Sequence, residues 1–117
     1  MKRDMSIIRR ILIELESGPK YTAISEIISR LDGIDQVTAT YHLEIADELK
    51  LISCTIEFCD HDPEAIIILA KLTNNGHAML EVMRDETIWN RFLKGLKDRG
   101  IQITIEAVIA AGLAGFR

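Results

Sequence analysis

Cys54, Cys59, Asp60, His61, Asp62 and Glu64 crowd one short stretch of the 117-residue chain. Thiolate, imidazole and carboxylate are the groups a divalent metal takes as ligands, so the stretch raises metal chemistry first. The spacing argues against it. On a strand Cys54 and Cys59 have opposite parity and face opposite sides, and no second Cys/His pair follows at zinc-site spacing. Asp60-x-Asp62-x-Glu64 lacks the glycine and the distal glutamate of a calcium loop. A polar hairpin tip is expected, with Cys54 a core thiol, Cys59 an exposed one, no metal and no cofactor. Catalysis finds equally little support. His42 falls on the inward side of one helix and His77 in the first turn of another. No serine or cysteine shares a local motif with a histidine and an acid, and no glycine-rich phosphate loop follows a strand. A binding protein is expected, not an enzyme.

The remaining chemistry is that of charge. Lys2, Arg3, Arg9 and Arg10 make the N-terminal end basic, and Arg84, Arg91, Lys94, Lys97 and Arg99 form a second group. Yet 14 Lys and Arg against 18 Asp and Glu leave a formal charge of -4, whereas a phosphate-binding domain is usually basic or carries a basic face. Any basic face is therefore local. At 48% hydrophobic the chain can bury one core without disulfides or metal, which predicts one domain over 1–117. No apolar run approaches the roughly 18 residues of a spanning helix, and Met-Lys-Arg-Asp leads into amphipathic sequence, so neither membrane insertion nor a signal peptide is expected and the location is cytoplasmic.

The elements that must position these groups follow from periodicity and capping. Ile8, Ile11, Leu12 and Leu15 recur at helical spacing between Asp4, a cap, and the stop at Gly18-Pro19. Thr22 is expected to cap a second helix, Ala23–Leu31, and Asp35 a third, Gln36 to about Lys50, across the turn at Asp32-Gly33. On the third helix Ala39, His42, Leu43, Ala46 and Leu49 share the inward arc, and Thr40, Glu44, Asp47 and Glu48 the outward one. Two alternating runs, Ile52–Phe58 and Ala65–Leu72, predict a hairpin whose core face takes Ile52, Cys54, Ile56, Phe58, Ile66, Ile68, Ala70 and Leu72. Ile67 and Leu69 then need cover from C-terminal helices or another subunit. Thr73, Asp85 and Thr104 begin three further helices, the break at Asp85-Glu86-Thr87 being a turn or a kink. Gly112 and Gly115 weaken the last.

This order predicts a mainly α protein with a small β-hairpin, an α+β winged helix-turn-helix over 1–72 with additional C-terminal helices over 73–117. The fold reads DNA with the N-terminal half of its third helix in the major groove. Gln36, Thr38, Thr40 and Tyr41 would then face bases, with Lys2, Arg3, Arg9 and Arg10 on phosphate. Both usual contact elements are acidic, which disfavours DNA: Glu44, Asp47 and Glu48 stand against Lys50 on the helix, and Glu57, Asp60, Asp62 and Glu64 against Lys71 in the wing. The alternative is a protein-binding module that presents Glu44, Asp47, Glu48, Asp60, Asp62 and Glu64 to a host protein with a basic surface, partly as a nucleic-acid mimic. Ile67, Leu69, Trp89, Phe92, Leu93 and Leu96 are the candidate seam of a homodimer.

Tyr41-His42-Leu43, Leu51-Ile52, the hairpin, and Leu72-Thr73-x-x-Gly76-His77 resemble the recognition helix, wing and wing exit of bacterial winged-helix regulators. Met1-Lys2-Arg3-Asp4-Met5 with Ile8-Arg9-x-Ile11-Leu12, together with Arg84-Asp85-Glu86-Thr87-Ile88-Trp89-Asn90, resemble the end signatures of a family of small uncharacterised phage and prophage proteins known only as a domain of unknown function. That resemblance implies a winged helix of mobile-element origin in a bacterial host cell, and no assigned activity. Lys50 stands where regulators often end the recognition helix with glycine, which predicts an altered helix-to-wing joint.

Overall fold

A computed structural model describes residues 2–59 and 61–115 and, at residues 58, 59 and 63–65, the backbone only. Asp4 opens α1 (Met5–Ser17), its carboxylate accepting from the Ser6 amide at 2.9 Å. Ile7, Ile8, Ile11, Leu12 and Leu15 are buried along one side of α1. Thr22 does not cap a helix. It lies in β1 (Thr22–Ala23), which pairs with a strand far along the chain, and α2 (Ile24–Arg30) starts without a side-chain cap. Local pattern carries no sign of such a distant pairing. Asp35 does cap α3 (Gln36–Glu48), accepting the Thr38 amide at 3.1 Å.

The wing is longer and tighter than its alternation suggests. β2 (Ile52–Cys59) and β3 (Asp62–Leu72) pair antiparallel, and β3 lies between β1 and β2 in a three-stranded sheet. The parity expected of the hairpin holds at its base, where Ile52 and Ala70 are buried. Farther out the core ends while the ladder continues. Ile56, Ile66 and Ile68 are exposed, Ile67 on the opposite face is exposed, and Cys54 is an exposed free thiol instead of a core one. Leu69, half-buried, has Ala23 of β1 as its neighbour in the sheet. The side chains of Phe58 and Cys59, and Asp60 altogether, lie outside the description.

α4 (Asn74–Met83) begins at its cap Thr73, and α5 (Glu86–Asp98) at its cap Asp85, whose extended backbone makes the break a turn between two helices. Thr104 caps α6 (Ile105–Leu113). Gly112 does more than weaken α6. A Cβ there would fall 2.4 Å from Met79 Sδ, so the glycine lets α6 lie directly on α4. The buried side chains of α1, α3, α4, α5 and α6 join in one hydrophobic cluster with Leu51, Ile52 and Ala70. Helix, turn, helix, then an antiparallel hairpin completed by a short first strand: the fold is a winged helix with helices added after the wing.

The joint between α3 and the wing keeps the geometry of a glycine-ended helix although Lys50 occupies it. Lys50 has φ 61, its amide donates to Asp47 O at 3.0 Å, and the Leu51 amide to Ala46 O at 3.0 Å. These two bonds are the Schellman ending, and only the residue type departs from the usual one. The Leu51 carbonyl then receives the Thr73 amide at 3.1 Å, and a Cβ on Gly76 would fall 2.2 Å from the same oxygen. Two outcomes are expected in urea unfolding. Gly76→Ala destabilises by about 2–4 kcal/mol, because the obstacle is backbone. Lys50→Gly stabilises by about 0.5–1 kcal/mol, the left-handed strain removed exceeding the added freedom of the unfolded chain.

Candidate nucleic-acid interface

α3 is held by its inner face and its first turn. Ala39, His42, Leu43, Ile45 and Ala46 are buried. The His42 ring, fully buried, uses both nitrogens: Nε2 accepts the Asp4 amide at 2.9 Å, and Nδ1 lies 2.8 Å from Thr38 O. Because Nε2 accepts, the proton sits on Nδ1 and is donated to the carbonyl, a tautomer assigned from geometry. The imidazole thus pins the start of α1 to the first turn of α3.

The outer face of α3 presents Gln36, Val37, Thr40, Glu44, Asp47 and Glu48, with Tyr41 half-buried and edge-on to His42. Gln36, Val37, Thr40, Tyr41 and Glu44 line an open groove of about 580 Å³. Gln36 and Thr40 also line a second groove with Ile24, Ser25 and Ile28 of α2 and Ile66, Ile67 and Ile68 of the wing. Thr38 is differently placed. Its hydroxyl donates to Asp35 Oδ1 at 2.7 Å and the residue is half-buried, so it serves the cap of α3. Val37, 66% exposed, is the residue that sequence reasoning passed over. Its place one position before Thr38, and its helical spacing to Thr40, Tyr41 and Glu44, was the available signal.

The basic residues divide. Arg3 pairs with Glu106 of α6. Arg9 donates from Nε to Met83 O at 2.7 Å and stacks its guanidinium 5.9 Å from the Trp89 ring, so it joins α1 to the end of α4 and the start of α5. The Arg9 guanidinium is thus held part-buried within the chain. Arg10 donates to Asp32 O at 3.0 Å and lines a cleft with Asp4, Asp35 and Thr38 at the start of α3. Lys2 is exposed. On the acidic side Glu44, Asp47 and Glu48 are all exposed, and Asp47 lies near enough to Cys54 of β2 for its charge to add to the desolvation that raises the thiol pKa. Asp62 is exposed, whereas Asp60 and the Glu64 side chain lie outside the description. Of the candidate dimer seam, Trp89, Phe92 and Leu96 are buried within the chain, Trp89 and Phe92 stacking at 5.9 Å; Leu69 and Leu93 are half-buried and Ile67 is exposed. The chain's own core thus consumes the aromatic part of that seam. Among the described residues no helix is long and apolar enough to cross a membrane.

Known proteins resemble this chain in sequence and in fold. A family model described as hypothetical protein (DUF2513) matches residues 2–102. An uncharacterized protein of Haemophilus influenzae is 30% identical over 108 residues, covering 92% of this chain and 89% of its own. Among solved structures, a PadR family transcription regulator from hypervirulent Clostridium difficile superposes with a TM-score of 0.55 at 20% identity, over 79% of this chain and 96% of that one. A mutant of ZitR from Lactococcus lactis in apo form gives 0.51 at 22% identity, over 94% and 78%. At these identities the structures establish the fold alone.

The first-turn cap makes acid sensitivity predictable. The Ser6 hydroxyl, helped by the Ser6 amide and opposed by partial burial, holds the Asp4 carboxyl below its ordinary range. A depressed folded-state value means that the stabilisation is complete above the unfolded value near about 4 and is lost as pH falls through the folded one. Asp4→Ala is expected to lower stability by about 1 kcal/mol at neutral pH, with the gap to the parent protein closing below about pH 4. Urea unfolding at both pH values measures it, and a gap independent of pH would contradict the cap's role.

Proposed function

The chain belongs to the hypothetical-protein family DUF2513, and from that membership together with the winged-helix fold we propose a non-catalytic, DNA-associated transcriptional regulator of phage or prophage type, acting in the bacterial cytoplasm as a homodimer. The observation that carries this is the outer face of α3. Its N-terminal half presents Gln36, Val37, Thr40 and Tyr41, all uncharged, on a helix held at both ends by backbone bonds and by His42. Gln36 has the bidentate amide that pairs with adenine, Thr40 a hydroxyl that serves either base of a pair, and Val37 an apolar surface for the thymine methyl. Arg10 lies beside the start of α3 and, with the exposed Lys2, supplies the phosphate contacts; Arg3 and Arg9 stabilise the fold.

A specific observation favours a second reading. Glu44, Asp47 and Glu48 are exposed, and among the described residues none has an ion-pair partner. Such a face repels phosphate and suits a basic protein surface, as in a phage inhibitor of a host defence complex. Asp62, exposed on the wing, belongs to the same proposed surface; Asp60 and the Glu64 side chain, also assigned to it, lie outside the described residues.

Selection from a randomised duplex library, with affinities at about 50 mM and about 200 mM salt, tests the first reading. An enriched motif is expected, with Gln36→Ala relaxing specificity at one position by about 1–3 kcal/mol and Arg10→Gln weakening all sequences alike while reducing the salt slope by about 1. Absence of binding at the lower salt rejects it. The acidic-face reading then predicts that Asp47→Lys with Glu48→Lys abolishes capture of a host protein.

A further inference from the structure

At the base of the wing, away from the reading face, two lysines converge on one aromatic ring. The β1–β3 register sets Thr22 opposite Ala70, and Tyr21 and Lys71 are the residues next to that pair. The Lys71 ammonium lies 5.7 Å from the Tyr21 ring centroid and the Lys20 ammonium 5.5 Å. A ring attracts each cation but cancels neither charge. Both lysines line a cleft of about 420 Å³ whose far wall is the start of α4, with Asn74 and His77. Glu16, on the α1 side, is the acid in that lining, and it is already engaged: both its oxygens accept from Arg84. Arg84 holds the Glu16 carboxyl below its usual range, so it stays an acceptor occupied by its own partner. The cleft is therefore locally cationic in a chain of formal charge -4, and its lining carries two ammoniums, an imidazole and a carboxamide.

We propose that this cleft binds a phosphate group, with Lys20 and Lys71 as the charged contacts and Asn74 and His77 as donors from α4. The site is distinct from the reading face: Lys71 is three residues along β3 from Ile68, the nearest wing residue of the α3 groove, or about 10 Å at strand rise. It is also placed to matter. Lys71 belongs to the wing and His77 to α4, and the two elements meet where Leu72 of β3 lies against Gly76 of α4, so a bound phosphate bridges them and restrains the wing against the helices that follow it. A small phosphate ester bound here would act as an effector.

Titration of the full chain with inorganic phosphate at low ionic strength, followed by heteronuclear NMR, reads the site directly. Saturable shifts of the Lys20, Tyr21, Lys71 and His77 amides are expected, and Lys20→Gln with Lys71→Gln should weaken binding roughly tenfold or more, as loss of two charge contacts requires. Lys94→Gln, on the exposed side of α5, should leave it unchanged. Unsaturable shifts, or an affinity unaltered in the folded double variant, overturn the proposal. Competition by random duplex DNA assigns the phosphate to a nucleic-acid backbone, and lack of competition assigns it to a free ester. Phosphate binding retained in a protein that fails to bind any duplex would separate this site from the regulator reading.

Discussion

One carbonyl organises the molecule. The hairpin leaves α3 after Leu51 and returns to α4 at Thr73, and the Leu51 oxygen is where the two ends meet: it accepts the Thr73 amide and presses against Gly76, where no side chain could stand. Thr73 reinforces the contact, its hydroxyl donating to Lys50 O and accepting from the Gly76 amide. The direction of the wing relative to α3 is thus set by backbone. It has to be, because toward the tip the described apolar side chains Ile56, Ile66, Ile67 and Ile68 are exposed. Lys50 in the left-handed region is the cost of entering that joint without glycine, about 1–2 kcal/mol of backbone strain tolerated by the hydrogen bonds around it.

From the same joint outward, charge is sorted along α3. Uncharged residues occupy its first turns and acids its later ones, toward β2. A duplex approaching the N-terminal half meets the neutral part first, whereas one lying along the whole helix is repelled. The N-terminal basic cluster does not offset this as its composition suggests, because Arg3 and Arg9 are engaged with α6, α4 and Trp89. Exposed cations outside those contacts include Lys2 at the N-terminal end, Lys20 before β1, and Arg91, Lys94 and Lys97 on α5.

Which parts of this were legible beforehand follows a physical rule. Asp4, Asp35, Thr73, Asp85 and Thr104 could be recognised as caps because capping is decided within a few residues, and each accepts the amide it should. Thr22 could not, since its partner Ala70 is distant in sequence. Alternation in the wing showed which side chains share a face but not where the core stops, and Cys54 and Ile56 fall past that limit. Trp89, Phe92 and Leu96 formed a recognisable apolar stripe; that the stripe meets the chain's own core depends on packing no local pattern contains. Arginine positions announced positive charge, and only the fold revealed which of them already had partners.

The N-terminal helix has a further consequence, for the order in which the chain acquires its shape. α1 is made first, yet its attachments come late: Arg9 awaits Met83, 74 residues on, and Arg3 awaits Glu106, 103 residues on. At a synthesis rate of about 5–20 residues per second, Met83 follows Arg9 by roughly 4–15 s. During that interval the Ile8, Ile11, Leu12 and Leu15 stripe has only α2, α3 and the wing to cover it. The cover of that stripe is therefore completed only once α4 has followed the wing off the ribosome.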